Sequence, residues 1–272
     1  MRNIELTLGE PNNYFVKEAF NTLRTNILFS GKQVKVILVT SCLAHEGKTT
    51  VSFEMARSLA EANKKVLLID ADLRKSVTAS RYTKERGIAG LSQVLSGQVD
   101  LNAATYRTQI LGMDMIFAGP FPPNPAELVG SPSFKEILDT VRDHYDYIII
   151  DAPPLGLVID AAIMATVCDG AVIVLNQGTV KYRLAQNVKN QLSKSGCRIL
   201  GVILNQTQKS RRALGNKGYY EKYSEYYGAE RSNGVGNTAS VSPTAMRRPI
   251  QQPATQARPA SPTQPVRPID KK

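Results

Sequence analysis

A chain of 272 residues, 42% of them apolar, can bury one large α/β core with a tail or two small ones. Its three cysteines (Cys42, Cys168, Cys197) are far apart, and His45 and His144 are its only histidines, which argues against a disulfide framework or a zinc cluster and fits a reducing cytoplasm. The net charge of +11 owes +5 to residues 229–272, where Arg231, Arg247, Arg248, Arg258, Arg267, Lys271 and Lys272 face only Glu230 and Asp270, so no nucleic-acid partner is expected.

In chain order, residues 12–30 predict an amphipathic helix, with Phe15, Ala19, Leu23 and Ile27 recurring every four residues and Asn12 or Asn13 as cap. Val34–Thr40 is a short apolar, β-branched run and predicts a buried strand. SCLAHEGKTT follows at once, then a helix over 48–62. Strands are expected at 66–70, 113–118, 147–151, 171–175 and 199–204, with helices at 91–95, 133–144, 159–167 and 181–195. Apolar strands alternating with helices predict an α/β fold: a P-loop NTPase with a mostly parallel sheet and helices on both faces. Right-handed crossovers then bring the C-terminal ends of the strands, at Thr40, Asp70 and Asp151, to one rim.

From about Gly228 the composition changes. Seven of the 15 prolines fall in the last 30 residues, among Ser, Thr, Gln and Arg. Such a segment cannot bury a core and is expected to be a solvated, disordered tail, or one that touches anionic headgroups. No apolar run nears the roughly 18–20 residues that span a bilayer. Met1–Glu10 lacks the basic and apolar regions of a signal peptide.

A strand, a turn ending in Gly47-Lys48-Thr49, and a helix form the context of a P-loop. Backbone N–H groups at the helix start point at an anion. Gly47 lets the backbone approach, Lys48 supplies charge to the β- and γ-phosphates, and Thr49 offers a hydroxyl to Mg²⁺. Cys42 stands where the first glycine of GxxxxGK[ST] is usual, so the loop is a deviant version. Asp70 and Asp72, two apart at a strand end, suit metal and proton chemistry: one can hold Mg²⁺ while the other accepts a proton from an attacking hydroxyl. Arg74 can hold the loop or a phosphate. Asp151 follows three isoleucines and is costly to bury without a cation, which Mg²⁺ supplies. Pro153 and Pro154 end that strand.

Gly47-Lys48-Thr49, Asp70-Ala71-Asp72-Leu73-Arg74 and Asp151-Ala152-Pro153-Pro154 together resemble the Walker A, DxDxR and DxxP motifs of the bacterial tyrosine kinases of the CpsD/CapB family, which regulate capsule and exopolysaccharide synthesis. Gly90-Leu91-Ser92 through Leu95 and Gly97, and Gly119-Pro120-Phe121-Pro122-Pro123-Asn124-Pro125-Ala126-Glu127-Leu128, add to the likeness, which covers about residues 12–227. The resemblance implies a non-specific protein-tyrosine kinase using ATP and Mg²⁺. Asp70 is then the base, with Lys48 and Asp72 beside it. Thr49, Asp72 and Asp151 serve the metal, and Glu46, Gly47, Lys48, Thr49, Thr50 and Asn205 hold the nucleotide. The family's ExxRxxR self-association pattern is matched by Glu18 and Arg24, with Asn21 in the middle. Ala44-His45-Glu46 replaces the common Pro-Gly-Glu.

The family's autophosphorylated tyrosine cluster corresponds to KGYYEKYSEYYG, with Tyr219, Tyr220, Tyr223, Tyr226 and Tyr227. Full modification would add about −7.5 to −10 charges and so repel neighbouring subunits. The resemblance further implies a ring-like homo-oligomer, a phosphotyrosine phosphatase, and a membrane adaptor of the polysaccharide co-polymerase type that recruits a cytoplasmic chain to the inner face of the membrane. The expected organisation is a helical arm over 1–33, a kinase domain over 34–208, the tyrosine cluster over 209–228 and the tail over 229–272. Two other readings compete: a MinD/ParA-like ATPase switch and a catalytically weak regulatory adaptor. The second lysine of the switch ATPases is Leu43 here, and the tyrosine cluster also argues against that reading.

Overall fold

The computed structural model describes residues 1–9 and 14–206. The chain divides into two units, Met1–Ser210 and Arg211–Lys272. The tyrosine cluster and the tail therefore lie outside the described residues.

The elements in order are β1 (Arg2–Asn3), α1 (Tyr14–Leu28), β2 (Val36–Ser41), α2 (Lys48–Glu61), β3 (Val66–Asp70), α3 (Thr78–Tyr82), α4 (Leu91–Leu95), α5 (Leu101–Ala104), β4 (Thr105–Arg107), β5 (Met113–Ile116), α6 (Pro125–Val129), α7 (Pro132–Arg142), β6 (Tyr147–Asp151), α8 (Asp160–Ala165), β7 (Gly170–Asn176), α9 (Tyr182–Lys194) and β8 (Ile199–Asn205). One eight-stranded sheet has the order β1-β4-β5-β3-β6-β2-β7-β8. All its pairings are parallel except β4 with β5.

Alternation along the central strands fills two core layers. Val36 and Leu38 of β2 and Ile148 and Ile150 of β6 meet Phe134, Leu138, Met164 and Leu192 from α7, α8 and α9. Ile37, Val39, Leu68 and Ile149 point the other way, onto Phe53, Met55 and Leu59 of α2. A ring stack of Phe53 on Tyr82, with centroids 4.0 Å apart, ties α3 to that second layer. Strands buried on both faces read as continuous apolar runs, which is why they were legible in sequence.

Three features differ from the sequence reading. The fifth strand ends at Ile116 rather than residue 118. The carbonyls of Phe117 and Ala118 instead accept hydrogen bonds from the N–H groups of Leu91 and Ser92 and anchor α4. On α1, Phe15 and Ala19 are exposed, and of that helix only Ile27 is buried. The face toward α2 is that of Phe20, Leu23 and Ile27, so the second half of the expected stripe holds and Phe20 takes the place of Ala19. The segment 1–33 contributes more than a helix, because β1 pairs with β4 and Ile4 and Leu6 are buried.

The stretches at 90–97 and 119–128 meet at Gly90. A Cβ there would stand 2.2 Å from Gly119 N and 2.4 Å from Phe117 O, which only glycine avoids. Gly90→Ala is therefore expected to cost about 1–3 kcal/mol, read as a lowered midpoint in thermal unfolding.

Candidate active site

The strand order sets β3, β6 and β2 side by side. Asp70 and Asp151 lie directly opposite each other in the register of β3 and β6, and α2 begins where β2 ends. Thr40, near the end of β2, donates to Pro153 O at 2.8 Å and accepts Leu155 N at 3.2 Å, fixing the turn after Asp151.

The loop between β2 and α2 needs a tight reversal. His45 (φ 65°) and Gly47 (φ 86°) both take the left-handed conformation. A Cβ on Gly47 would fall 2.0 Å from Asn205 Nδ2 and displace that side chain from Glu46 O, so glycine serves this turn through its φ and by leaving Asn205 in place. No side chain caps the N-terminus of α2, which leaves its first N–H groups for an anion. Beneath the loop, the buried Glu46 accepts Leu43 N at 2.6 Å and Asn176 N at 3.1 Å, and Asn205 Nδ2 donates to Glu46 O at 2.9 Å. Glu46 thus braces the loop from behind. Cys42 is buried against Gly156, where a Cβ would stand 2.2 Å from Cys42 O. Burial pushes its thiol up to about 11, so it is a packed, protonated group.

Lys48 Nζ bonds Asp72 Oδ2 at 2.9 Å and lies 3.8 Å from Asp151 Oδ1. Burial acts to lower the ammonium's pKa, but the charges of Asp151 and Asp72 outweigh it and hold the pKa above its ordinary value. Asp72 lines a cleft of about 750 Å³ together with Gly47, Lys48, Thr49 and Thr50. Asp70 sits behind it, 1% exposed. Its Oδ1 accepts Asp72 N at 3.2 Å, and its Oδ2 accepts the Ser76 hydroxyl. Burial, and then the charge of Asp151, push the Asp70 carboxyl up to about 7. Burial also raises Asp151, against the pull of Lys48, Thr49 and Ser52. Ser52 donates to Asp151 Oδ1 at 3.3 Å, whereas Asp151 Oδ2 is buried with no hydrogen-bond partner among the described residues. An orphaned carboxylate oxygen next to Thr49 and Asp72 is what a hard cation would satisfy, so the residues fit magnesium.

This order of elements and motifs matches known proteins. The family model described as an AAA domain matches residues 34–183. The tyrosine-protein kinase CpsD of Streptococcus agalactiae is 42% identical over 206 residues, which cover 76% of this chain and 90% of that kinase. The chain belongs to the CpsD/CapB family of bacterial tyrosine kinases. Another relative, the tyrosine-protein kinase YwqD of Bacillus subtilis, is 36% identical over 80% of this chain and 91% of its own. The kinase domain of Escherichia coli tyrosine kinase ETK superposes with a TM-score of 0.69 at 27% identity, covering 80% of this chain and 95% of that one. MinD of Pyrococcus horikoshii, complexed with Mg-ADP, reaches a TM-score of 0.56 at 25% identity over 71% of this chain and 77% of that one.

Leu43, at the position of the switch ATPases' second lysine, packs against the core. Of the self-association pattern, Glu18 accepts Asn21 Nδ2 at 3.0 Å, while Arg24 donates to Ser58 O at 2.9 Å and Oγ at 3.2 Å, clamping α1 on α2.

Asp160 and Ser76 escaped the sequence reading. Arg74 is held by a bidentate pair with Asp160, Nε to Oδ2 at 2.7 Å and Nη2 to Oδ1 at 2.9 Å, so it fixes the loop after β3. Ser76 was hidden because its partner Asp70 already had an assigned role. Among the described residues no helix is long and apolar enough to cross a membrane.

Proposed function

We propose that this chain is an ATP-dependent protein-tyrosine kinase whose acceptors include the tyrosine cluster of a neighbouring copy, and that it regulates capsular or exopolysaccharide synthesis. The observation that carries the reading is the acid pair Asp70–Asp151, flush on adjacent strands, facing Lys48 at the start of α2. Lys48, Thr49, Thr50 and the first N–H groups of α2 would hold the phosphates of ATP, with Asn205 and Glu46 keeping the loop in shape behind them. Thr49, Asp72 and Asp151 would hold Mg²⁺, which when bound neutralises charge on the transferring phosphoryl group.

The tyrosine oxygen forms a bond to the γ-phosphorus as the bridging β–γ bond breaks, and ADP leaves. Asp70 receives the hydroxyl proton by way of Ser76, whose hydroxyl it already accepts. A carboxyl raised toward neutrality suits such a base, since it takes up the proton readily and returns it to water.

Glu18 and Arg24 are proposed to support a ring of subunits, Arg24 by fixing α1 on α2. The remaining partners we infer are a membrane adaptor of the polysaccharide co-polymerase type, which would recruit the chain to the inner face of the membrane, and a phosphotyrosine phosphatase. Incubation with Mg-ATP and the adaptor's cytoplasmic tail is expected to yield phosphotyrosine. The signal disappears in Lys48→Met and in the variant with all five tyrosines changed to Phe. ATP hydrolysis without phosphotyrosine in the native chain would instead favour a MinD/ParA-like switch.

A further inference from the structure

The cleft has two unlike walls. Beyond the phosphate loop, one side is formed by the segment after β3, with Lys75, Val77 and Arg81; the other is formed by Pro153, Pro154 and Leu157. Leu157 is 58% exposed and Val77 38%, so apolar surface stands open at the mouth. The cations divide into two groups. Lys48 is matched by Asp72 and Asp151, and Arg74 by Asp160. Among the described residues, Lys75 and Arg81 form no salt bridge; the Arg81 guanidinium bonds the neutral hydroxyls of Thr50 and Tyr82 and meets no carboxylate. Lys84 and Arg86 follow in sequence, and Glu85 is the one acid among the four cations of residues 75–86. A concave site lined by one sign of charge concentrates ligands of the other sign.

The triphosphate is provided for elsewhere, by Lys48, the N-terminus of α2 and the metal acids. The unmatched cations are left for the other substrate. We propose that Lys75 and Arg81 read acidic side chains flanking the acceptor tyrosine, while its ring lies against Leu157 and Pro153–Pro154 across the cleft. This deepens the phosphotransfer reading and rests on it. The acceptor segment of this chain has that chemistry: Glu221 follows Tyr220, and Glu225 stands between Tyr223 and Tyr226. Lysines at 217 and 222 are present too, so the glutamates adjoining the tyrosines, rather than net charge, would set the preference.

The test pairs two full-length chains. The donor carries all five cluster tyrosines as Phe; the acceptor carries Lys48→Met and is therefore inert as a kinase. Initial rates of transfer are measured for donors with Lys75 or Lys75→Gln, and for acceptors with the native glutamates or with Glu221→Gln and Glu225→Gln. With the native acceptor, Lys75→Gln is expected to lower the rate about fivefold, the size of one exposed ion pair at the top of its range. The glutamine acceptor should show a similar fall with the native donor and almost none further with Lys75→Gln. A donor with Lys75→Glu should prefer an acceptor with Glu221→Lys and Glu225→Lys, and this preference should fade at high salt. The proposal is overturned if Lys75→Gln lowers transfer equally to both acceptors, or if it acts by raising the KM for ATP. Absence of transfer in every pairing would instead remove the kinase reading, and this inference with it.

Discussion

Asp70→Asn is expected to cut phosphotransfer about 10²–10⁴-fold in kcat while making the metal-free protein more stable at pH 8. The two effects have one origin. Asp70 is 1% exposed, and its nearest charged neighbour across the strands is another acid, Asp151. Burial and that acid raise its carboxyl from an ordinary 3.8 to about 7. A raised carboxyl binds protons in the folded state over a range where the unfolded chain has released them. Its contribution to stability is thus greatest near pH 4, declines as pH rises to about 7, and is most unfavourable above that. Asparagine removes the charge and keeps an acceptor oxygen for Ser76, at the loss of the longer bond from Asp72 N. The gain at pH 8 should be a few kcal/mol at most, in the direction of a higher melting temperature. At pH 4, where the native carboxyl is protonated, the two melting curves should converge. Magnesium should stabilise the native protein more than the variant, since it relieves the same repulsion. Two measurements suffice: melting temperature against pH without metal, and kcat at saturating Mg-ATP. If kcat survives in Asp70→Asn and falls in Asp72→Asn, the two acids have exchanged the roles of base and metal holder.

The sequence carried the fold where burial acts on both faces of a strand. Val36–Ser41, Val66–Asp70 and Tyr147–Asp151 are almost wholly apolar to their last residue, and that last residue is polar because it stands at the ligand rim. That is why Asp70 and Asp151 stand together at one rim, with Lys48 and Asp72 within reach, as their places in sequence predict. β1 and β4, two and three residues long, are too short to show any period; β4 is held by its pairing with β5, and β1 is the N-terminal segment docked on β4. α1 was placed correctly, and Leu23 and Ile27 of its expected stripe face the core, but Phe15 and Ala19 do not, because a half-exposed helix resting on one neighbour leaves a weak apolar pattern. Glu46 reads as part of a phosphate loop in sequence. Only coordinates reveal that Leu43 N and Asn176 N occupy its carboxylate. Asp160 had no signal at all, since its partner Arg74 is 86 residues away and the IDAAI context reads as an ordinary helix start.

That pair gives the other large effect. Arg74→Ala is expected to destabilise the protein by about 3–5 kcal/mol, although Arg74 itself is exposed. Asp160 is 2% exposed, and the bidentate guanidinium is its countercharge. Truncating the arginine leaves a buried carboxylate without a cation, which costs more than the pair contributes. The asymmetry is testable. Asp160→Asn leaves an exposed guanidinium that water can solvate, so it should cost less, and adding Asp160→Asn to Arg74→Ala should recover much of the loss. Arg74→Lys should fall between, since an ammonium cannot make both contacts at once. Activity should follow a different order. Arg74 and Asp160 hold the segment that presents Asp72 and Lys75 to the cleft, so any break loosens that wall. The double variant should then be stable yet impaired in KM for the tyrosine acceptor, with ATP binding largely intact. Thermal unfolding of the four proteins gives the coupling energy by double-mutant cycle. Equal costs for Arg74→Ala and Asp160→Asn would mean that the burial of Asp160 is not what makes the arginine necessary.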